Sequence, residues 1–359
     1  MARLELRAVA HSYQRDPRTD ADYALKPLDL VWEHAGAYAL LGPSGCGKTT
    51  LLGILSGLLR PTRGQVLIDG RDVTQLSPRE RNIAQVFQFP VLYDSMSVFD
   101  NLAFPLRNRK LPAREVEARV REVAELLDLT AELRLRASGL SGELKQRISL
   151  GRGLVRKDVA AILLDEPLTV IDPHLKWQLR RKLMEIHREL RLTLIYVTHD
   201  QLEALTLAED VLVMSSGDVL QRGTPEALFE RPEHVFVGHF IGSPGMNILP
   251  CELTREGIAV AGQRVLGRSL PEQSASAELR LGVRPEFLVL EREPSAAAVK
   301  VQVTEQIYLG GTRVVTAQLG PHVLRVKTPP DQEDPPGSER YLLFPEAHTH
   351  VYCDGKLIS

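Results

Sequence analysis

The chain is poor in cysteine, in aromatic residues and in net charge. Its three cysteines, Cys46, Cys251 and Cys353, are odd in number and scattered. Such spacing builds neither a disulfide framework nor a metal-ligand cluster, so reduced thiols are expected. Aromatic residues make up 5% of the sequence, and 44 basic residues are set against 46 acidic ones, a formal charge of −2. That balance exerts no general attraction on nucleic acid or anionic lipid, so partners have to be chosen by local features. No apolar run approaches the ~18 to 20 residues needed to span a bilayer, and the start of the chain lacks the basic segment and apolar core of a signal peptide. Membrane association is therefore expected only through another subunit. At 359 residues the chain exceeds what one hydrophobic core usually organises, and two domains are expected.

What the sequence does contain is a phosphate loop. Residues 42–50 read Gly42-Pro43-Ser44-Gly45-Cys46-Gly47-Lys48-Thr49-Thr50, between the apolar run Ala37-Tyr38-Ala39-Leu40-Leu41 and the helix-forming Leu51-Leu52-Gly53-Ile54-Leu55. Successive small residues let backbone N–H groups turn inward on a phosphate chain, and the following helix points its positive end at the same anion. Lys48 is placed to reach the outer phosphates, and the Thr49 hydroxyl to ligate Mg²⁺.

Short apolar runs alternate with longer amphipathic segments through the first two-thirds, the pattern of an α/β sheet. Val159 to Leu164 is an apolar run ending in Asp165-Glu166, and Leu192 to Val197 ends in Thr198-His199-Asp200. Both read as buried parallel strands with polar residues at their carboxyl ends, where open α/β sheets place ligands. Asp165 is the expected Mg²⁺ carboxylate, and Glu166 a base that polarises attacking water. The stretch Asn101 to Arg156 is more helical, with Val116, Val120, Val123 and Leu127 on one packed face. Asp172-Pro173 opens a further helix, whose apolar side is Leu175, Leu179, Leu183, Ile186 and Leu190. After about Arg231 the composition shifts. From Ser243 short alternating strands such as 301–303 and 323–326 predict a small β-barrel-like domain, with residues 328–338 as an exposed loop.

Several further elements occur in the order found in ATP-binding-cassette (ABC) ATPases, and on them the chain resembles that family. Tyr13 matches the aromatic that stacks on adenine and Gln88 the Q-loop glutamine. Leu140-Ser141-Gly142-Glu143-Leu144 stands at the signature, Thr169-Val170-Ile171-Asp172 at the D-loop, and His199 at the switch histidine. The resemblance implies a P-loop NTPase cassette over residues 1–235, with a helical subdomain at about 90–156. It implies ATP and Mg²⁺ as cofactors, with Thr49, Gln88 and Asp165 near the metal and Lys48, Gln88, Glu166 and His199 in catalysis. In that family two cassettes sandwich two ATP molecules. Ser141, Gly142 and Glu143 would then serve the partner's nucleotide, and Asp172 belongs to the same set of nucleotide contacts.

The signature departs from the family's Leu-Ser-Gly-Gly-Gln, because Glu143 and Leu144 replace the second glycine and the glutamine. A carboxylate there is expected to repel a phosphate. On that ground the second ATPase subunit is expected to be a different, divergent cassette, with a symmetric pair as the alternative.

In the C-terminal region, Gly282-Val283-Arg284-Pro285-Glu286 resembles a segment of the OB-like (TOBE-type) regulatory domain of importer ATPases of the maltose and polyol type, giving a β-rich domain over 243–359. The basic and aromatic groove of a nucleic-acid binder is missing, so dimerisation or regulation is the expected role. Residues 86–109 and 165–179 resemble the glycerol importer branch of these ATPases. Implied partners are membrane-spanning permease subunits, bound at the cytoplasmic face of the bacterial inner membrane, and indirectly a periplasmic or lipid-anchored solute-binding protein. The solute implied is glycerol or a related polyol or sugar, with glycerol 3-phosphate or an oligosaccharide as alternatives. Rival readings are an exporter ATPase, a soluble cassette factor acting on ribosomes or DNA, and a phosphate-loop kinase or GTPase. The C-terminal domain argues against the first. The absence of a second cassette or long coiled coil argues against the second, and the signature and switch histidine against the third.

Overall fold

A computed structural model describes residues 2–267, 278–295 and 297–358 of the chain, and all but the Pro173 and Leu190 side chains within them; the expected place of Leu190 on its helix's apolar side therefore lies outside the described residues. The chain forms two compact units, Met1–Pro225 and Glu226–Ser359. This division falls ahead of the compositional shift, because the segment that follows it is tied to the β-rich unit by Arg284.

The first unit is built on a six-stranded sheet. Its strands are β1 (Ala37–Leu41), β2 (Ala84–Val86), β3 (Ile162–Asp165), β4 (Leu194–Thr198), β5 (Asp210–Ser215) and β6 (Asp218–Gly223), in the order β6-β5-β1-β4-β3-β2. The pairs β5-β1, β1-β4, β4-β3 and β3-β2 are parallel, and only β6 runs antiparallel to its neighbour. β1 and β4 are buried along their whole length, as continuous apolar strands of a covered parallel sheet should be. A four-stranded antiparallel sheet, with Leu4–His11 between Leu25–Trp32 and Arg63–Ile68, packs with the phosphate-loop helix into one core.

The helices are α1 (Lys48–Ser56), α2 (Val98–Arg107), α3 (Ala113–Leu126), α4 (Gly142–Leu154), α5 (Pro173–Leu190) and α6 (Gln201–Leu207), besides shorter turns. Val116, Val120 and Val123 are buried at helical spacing on α3 and join a second core with α2, α4 and the apolar side of α5. Helix starts follow local chemistry. The Ser97 hydroxyl accepts the Asp100 N–H at 3.0 Å, and the Asp172 carboxylate accepts that of His174 at 2.9 Å.

The second unit packs three antiparallel sheets around one core. The expected strands at 301–303 and 323–326 are parts of longer ones, Ala298–Tyr308 and His322–Thr328. The exposed loop expected at 328–338 is corrected in part. Asp334 is fully buried, ion-paired to Arg340 and bonded by Gln332 Nε2 at 3.0 Å, and Thr328 is buried too. A proline-rich composition marks a turn but does not reveal a carboxylate with a partner six residues on.

Arg284 is buried in this unit and donates to the carbonyls of Leu228, Phe229, Gly238 and Ile241, with its guanidinium 4.0 Å from the Phe229 ring centroid. Those carbonyls belong to the helical stretches Pro225–Glu230 and Val235–Phe240 or follow them directly. One arginine thus satisfies groups that helix ends leave unpaired. Burial lowers its pKa to about 10, which still leaves it charged.

Candidate functional site

Apart from Tyr13, which follows the strand Leu4–His11 of the antiparallel sheet, and the signature at the start of α4, the groups expected to meet nucleotide lie at the carboxyl ends of β1 to β4 or start the helices that follow. The loop at 42–50 leaves β1 and enters α1. Gly47 has φ +106°, and a Cβ on it would stand 2.6 Å from the Ala24 carbonyl oxygen; one on Gly42 would stand 2.3 Å from that of Met214. Gly45, also at positive φ, faces open space. The loop is closely packed behind and open in front, as a phosphate cradle must be. Lys48 is buried, and its ammonium donates to the Gly42 and Pro43 carbonyls at 2.7 and 2.9 Å, across the mouth of the loop. Tyr13 is 69% exposed at the rim, with its hydroxyl 3.1 Å from that of Thr50. Cys46 is different. Its side chain is only 3% exposed, with Sγ 3.8 Å from Lys48 Nζ, so it has only its backbone to offer a phosphate, and its thiol needs no nucleotide to shield it.

Glu166 follows β3 with φ +45°, a left-handed conformation that carries about 1–3 kcal/mol of strain in a residue with a Cβ. Its N–H is bonded to the Val197 carbonyl at 2.9 Å. Three side chains hold its carboxylate: Gln88 Nε2 at 3.2 Å, Thr169 Oγ1 at 3.3 Å and His199 Nδ1 at 3.0 Å. Three of the four residues expected in catalysis, Gln88, Glu166 and His199, therefore meet, although they lie on three strand ends far apart in sequence. Thr169 was not expected among them, and no spacing rule pointed to it.

Asp165 is mostly buried, and its pKa is raised, first by that burial and then by neighbouring Glu166, against the opposing pull of Lys48. A cation relieves such a carboxylate. Among the described residues no group of three His, Cys, Asp or Glu side chains could hold a metal alone. The donor set therefore suits Mg²⁺ bound with phosphate oxygens and the Thr49 hydroxyl, rather than a resident ion.

The signature starts α4. The Ser141 hydroxyl caps the helix by accepting the Leu144 N–H at 3.3 Å. Glu143 is ion-paired to Arg147 one turn on, and both side chains are largely buried. The repulsion expected of Glu143 presumed a free carboxylate; here it is turned along the helix and neutralised. The i,i+4 spacing was present in the sequence as a signal for this pair. Two contacts tie α4 to the segment after β2: Gln146 Nε2 donates to the Phe87 carbonyl at 3.4 Å, and Arg152 to that of Val91. The Asp172 carboxylate is occupied as the cap of α5.

Comparison with known proteins agrees with this geometry. Residues 25–169 match the family model described as ABC transporter, and residues 281–352 match the TOBE domain. The sn-glycerol-3-phosphate import ATP-binding protein UgpC of Escherichia coli O157:H7 is 39% identical over 99% of both chains. Its counterpart in Yersinia enterocolitica is 38% identical over 98% of this chain and 97% of that one. The solved structure of cbiO1 from Clostridium perfringens, part of the ABC transporter complex cbiONQ, superimposes with a TM-score of 0.58 at 28% identity, covering 64% of this chain and 90% of the other. The chain belongs to the ABC transporter ATPases, with a TOBE domain following the cassette. It is an ATP-binding, ATP-hydrolysing subunit that drives solute import together with membrane permease subunits. No helix among the described residues is long and apolar enough to cross a membrane.

Proposed function

We propose that this chain hydrolyses ATP with Glu166 as the base and powers uptake of sn-glycerol 3-phosphate or a related polyol through separate permease subunits. The observation that carries the hydrolytic part is the convergence of Gln88, Thr169 and His199 on the Glu166 carboxylate. Held on two sides, that carboxylate keeps an orientation in which it can accept a proton from water. His199 bonds to Glu166 and lies at the edge of the site, where it contacts the γ-phosphate. Lys48 leaves the loop carbonyls for the outer phosphates, and the N–H groups of 42–50 surround them. Thr49, Asp165 and Gln88 would hold Mg²⁺, which when bound would neutralise charge that develops on the phosphate oxygens. Tyr13 stacks on adenine. Ser141 and Gly142, at the start of α4, meet the nucleotide of a second cassette, near its Asp172 segment. Since Arg147 neutralises Glu143, a second copy of this chain serves there as well as a divergent one.

Full-length similarity to the glycerol-3-phosphate import proteins supports the solute class. Exposed apolar residues after Gln88 support the place of the permease: Phe89 is 69% and Val91 57% exposed, beside a groove of about 1510 Å³ whose lining includes Ile83, Phe104, Arg109, Arg152 and Arg156. Apolar side chains next to basic ones suit a short permease helix bearing carboxylates. The complex stands at the cytoplasmic face of the inner membrane, with a solute-binding protein on the other side. The test is solute-stimulated ATP hydrolysis by this chain in vesicles with its permease subunits and binding protein. Stimulation by sn-glycerol 3-phosphate or a polyol is expected. Stimulation only by an unrelated solute overturns the solute class, and no hydrolysis under any condition overturns the whole reading.

A further inference from the structure

Glu203 lies in the first turn of α6 with its side chain only 4% exposed, and the reaction proposed above does not use it. Burying a carboxylate is costly unless its lone pairs are met. Here they are met from two other elements. Oε2 accepts the Tyr196 hydroxyl at 2.9 Å and the Thr198 hydroxyl at 2.8 Å, both from β4, and Oε1 lies 3.7 Å from Lys176 Nζ on α5. The Tyr196 phenol is pushed well above its ordinary range, by burial first and by Glu203 second, so it remains a donor.

The Thr198 hydroxyl has one proton to give. Because that proton goes to Glu203, its oxygen is left to accept the Asp200 N–H, which it does at 3.0 Å. Asp200 in turn accepts the N–H groups of Leu202 and Glu203 at 2.8 and 3.2 Å. The residues on both sides of His199 are thereby fixed, and the anchor of both is Glu203. On its other side, the Lys176 N–H is bonded to the Asp172 carbonyl at 3.0 Å, so the same carboxylate reaches the end of the segment that runs on from Glu166.

We propose that Glu203 is a positioning residue for hydrolysis, one that holds His199 against Glu166 by locking Thr198 and tying the histidine loop to the helix after residues 169–172. The inference rests on the reading of Glu166 and His199 as the hydrolytic pair. The Glu203 carboxylate contacts Tyr196, Thr198 and Lys176 and acts through them.

The test is Glu203→Gln, which keeps shape but leaves only one acceptor oxygen and no charge for Lys176. ATP turnover with the permease partners is measured beside KM for ATP, and His199 is followed by side-chain NMR of the ¹⁵N-histidine-labelled chain, assigned from the spectrum of His199→Gln. Turnover is expected to fall roughly 10- to 100-fold with KM for ATP changed less than about twofold, and the His199 resonance to move while that of His187 stays. Unchanged turnover overturns the proposal, as does lost turnover with an unmoved His199 resonance. If Glu203→Gln does not fold, Thr198→Val removes the same relay and carries the same expectations. Glu166→Gln is run alongside: full turnover in that variant would discard the hydrolytic pair itself, whatever Glu203 does.

Discussion

At the strand ends of the cassette, Lys48, Glu166 and the residues beside His199, which we propose serve this chain's own nucleotide, are held redundantly. Lys48 has two carbonyls, Glu166 has a backbone bond and three side-chain contacts, and Thr198 and Asp200, which flank His199, are bonded to each other and anchored by Glu203. At the start of α4, the surface we propose for a partner's nucleotide rests on one serine cap of 3.3 Å and two ion pairs, Glu143 with Arg147 and Lys145 with Asp94, of which only the first neutralises the signature carboxylate. The first region is built around a fixed carboxylate, whereas the second has to keep one away. Substitution is therefore expected to act differently in the two. Loss of a single support should leave the strand-end site partly working, but loss of Arg147 should release a negative charge onto the signature surface.

Among substitutions of supporting residues, the largest expected effect follows from that contrast. Arg147→Gln frees the Glu143 carboxylate, and two unit charges ~4 Å apart at an effective dielectric of about 20 repel by roughly 4 kcal/mol before screening. ATP hydrolysis should fall by about 100-fold or more, and Glu143→Gly on the same chain should restore most of it. If the double variant is as inactive as Arg147→Gln alone, the ion pair does not explain how the altered signature works.

The second unit uses the single-support strategy for stability, and there the effect should be somewhat smaller. Arg284→Ala leaves the carbonyls at 228, 229 and 241 without their donor, while that of Gly238 keeps the Met246 N–H at 3.1 Å, at about 1–3 kcal/mol for each group that stays dry. A loss of about 3 kcal/mol is expected in denaturant unfolding of this unit, with ATP affinity unchanged. Unfolding at the wild-type denaturant concentration would show that water or backbone shifts replace the arginine.

Asp165 allows a finer comparison between stability and function. Its folded pKa lies above the ordinary aspartate value, so the native state favours the proton and stability declines as pH rises through that range. At pH 7 Asp165→Asn should therefore melt at a higher temperature than wild type without nucleotide, yet lose the stabilisation that Mg-ATP gives. A lower melting temperature without nucleotide would contradict the burial argument.

The smallest effect is expected at Cys46. With the thiol buried behind the loop, alkylation should be slow to the same degree with and without saturating ATP, as read by peptide mass spectrometry. Rapid labelling that ATP suppresses would mean that the loop opens in the absence of nucleotide.

Much of the proposed strand-end site could be read in the sequence. The phosphate loop and the polar end of an apolar strand point to Lys48, Asp165 and Glu166, and the resemblance to ABC ATPases points to Gln88 and His199, before any distance was known. Of the supporting residues only Arg147 left a signal, its i,i+4 spacing from Glu143. Thr169 and Glu203 are ordinary polar residues whose roles depend on contacts across a turn or between elements, and neither periodicity nor composition distinguishes them from a solvated surface. Arg284 marked a recognisable segment, but its reach to helix ends more than 40 residues earlier is a property of the fold. The loop at 328–338 misled for the same reason, because the burial of Asp334 depends on a partner, Arg340, that composition does not identify.

The central claim, that the carboxylate held by Gln88, Thr169 and His199 is the hydrolytic base, is tested most directly by the rate of ATP hydrolysis of Glu166→Gln assembled with its permease partners. Turnover should fall by roughly 10²- to 10⁴-fold while ATP still binds, since the amide preserves the shape and removes the base. Hydrolysis at the wild-type rate would contradict the claim.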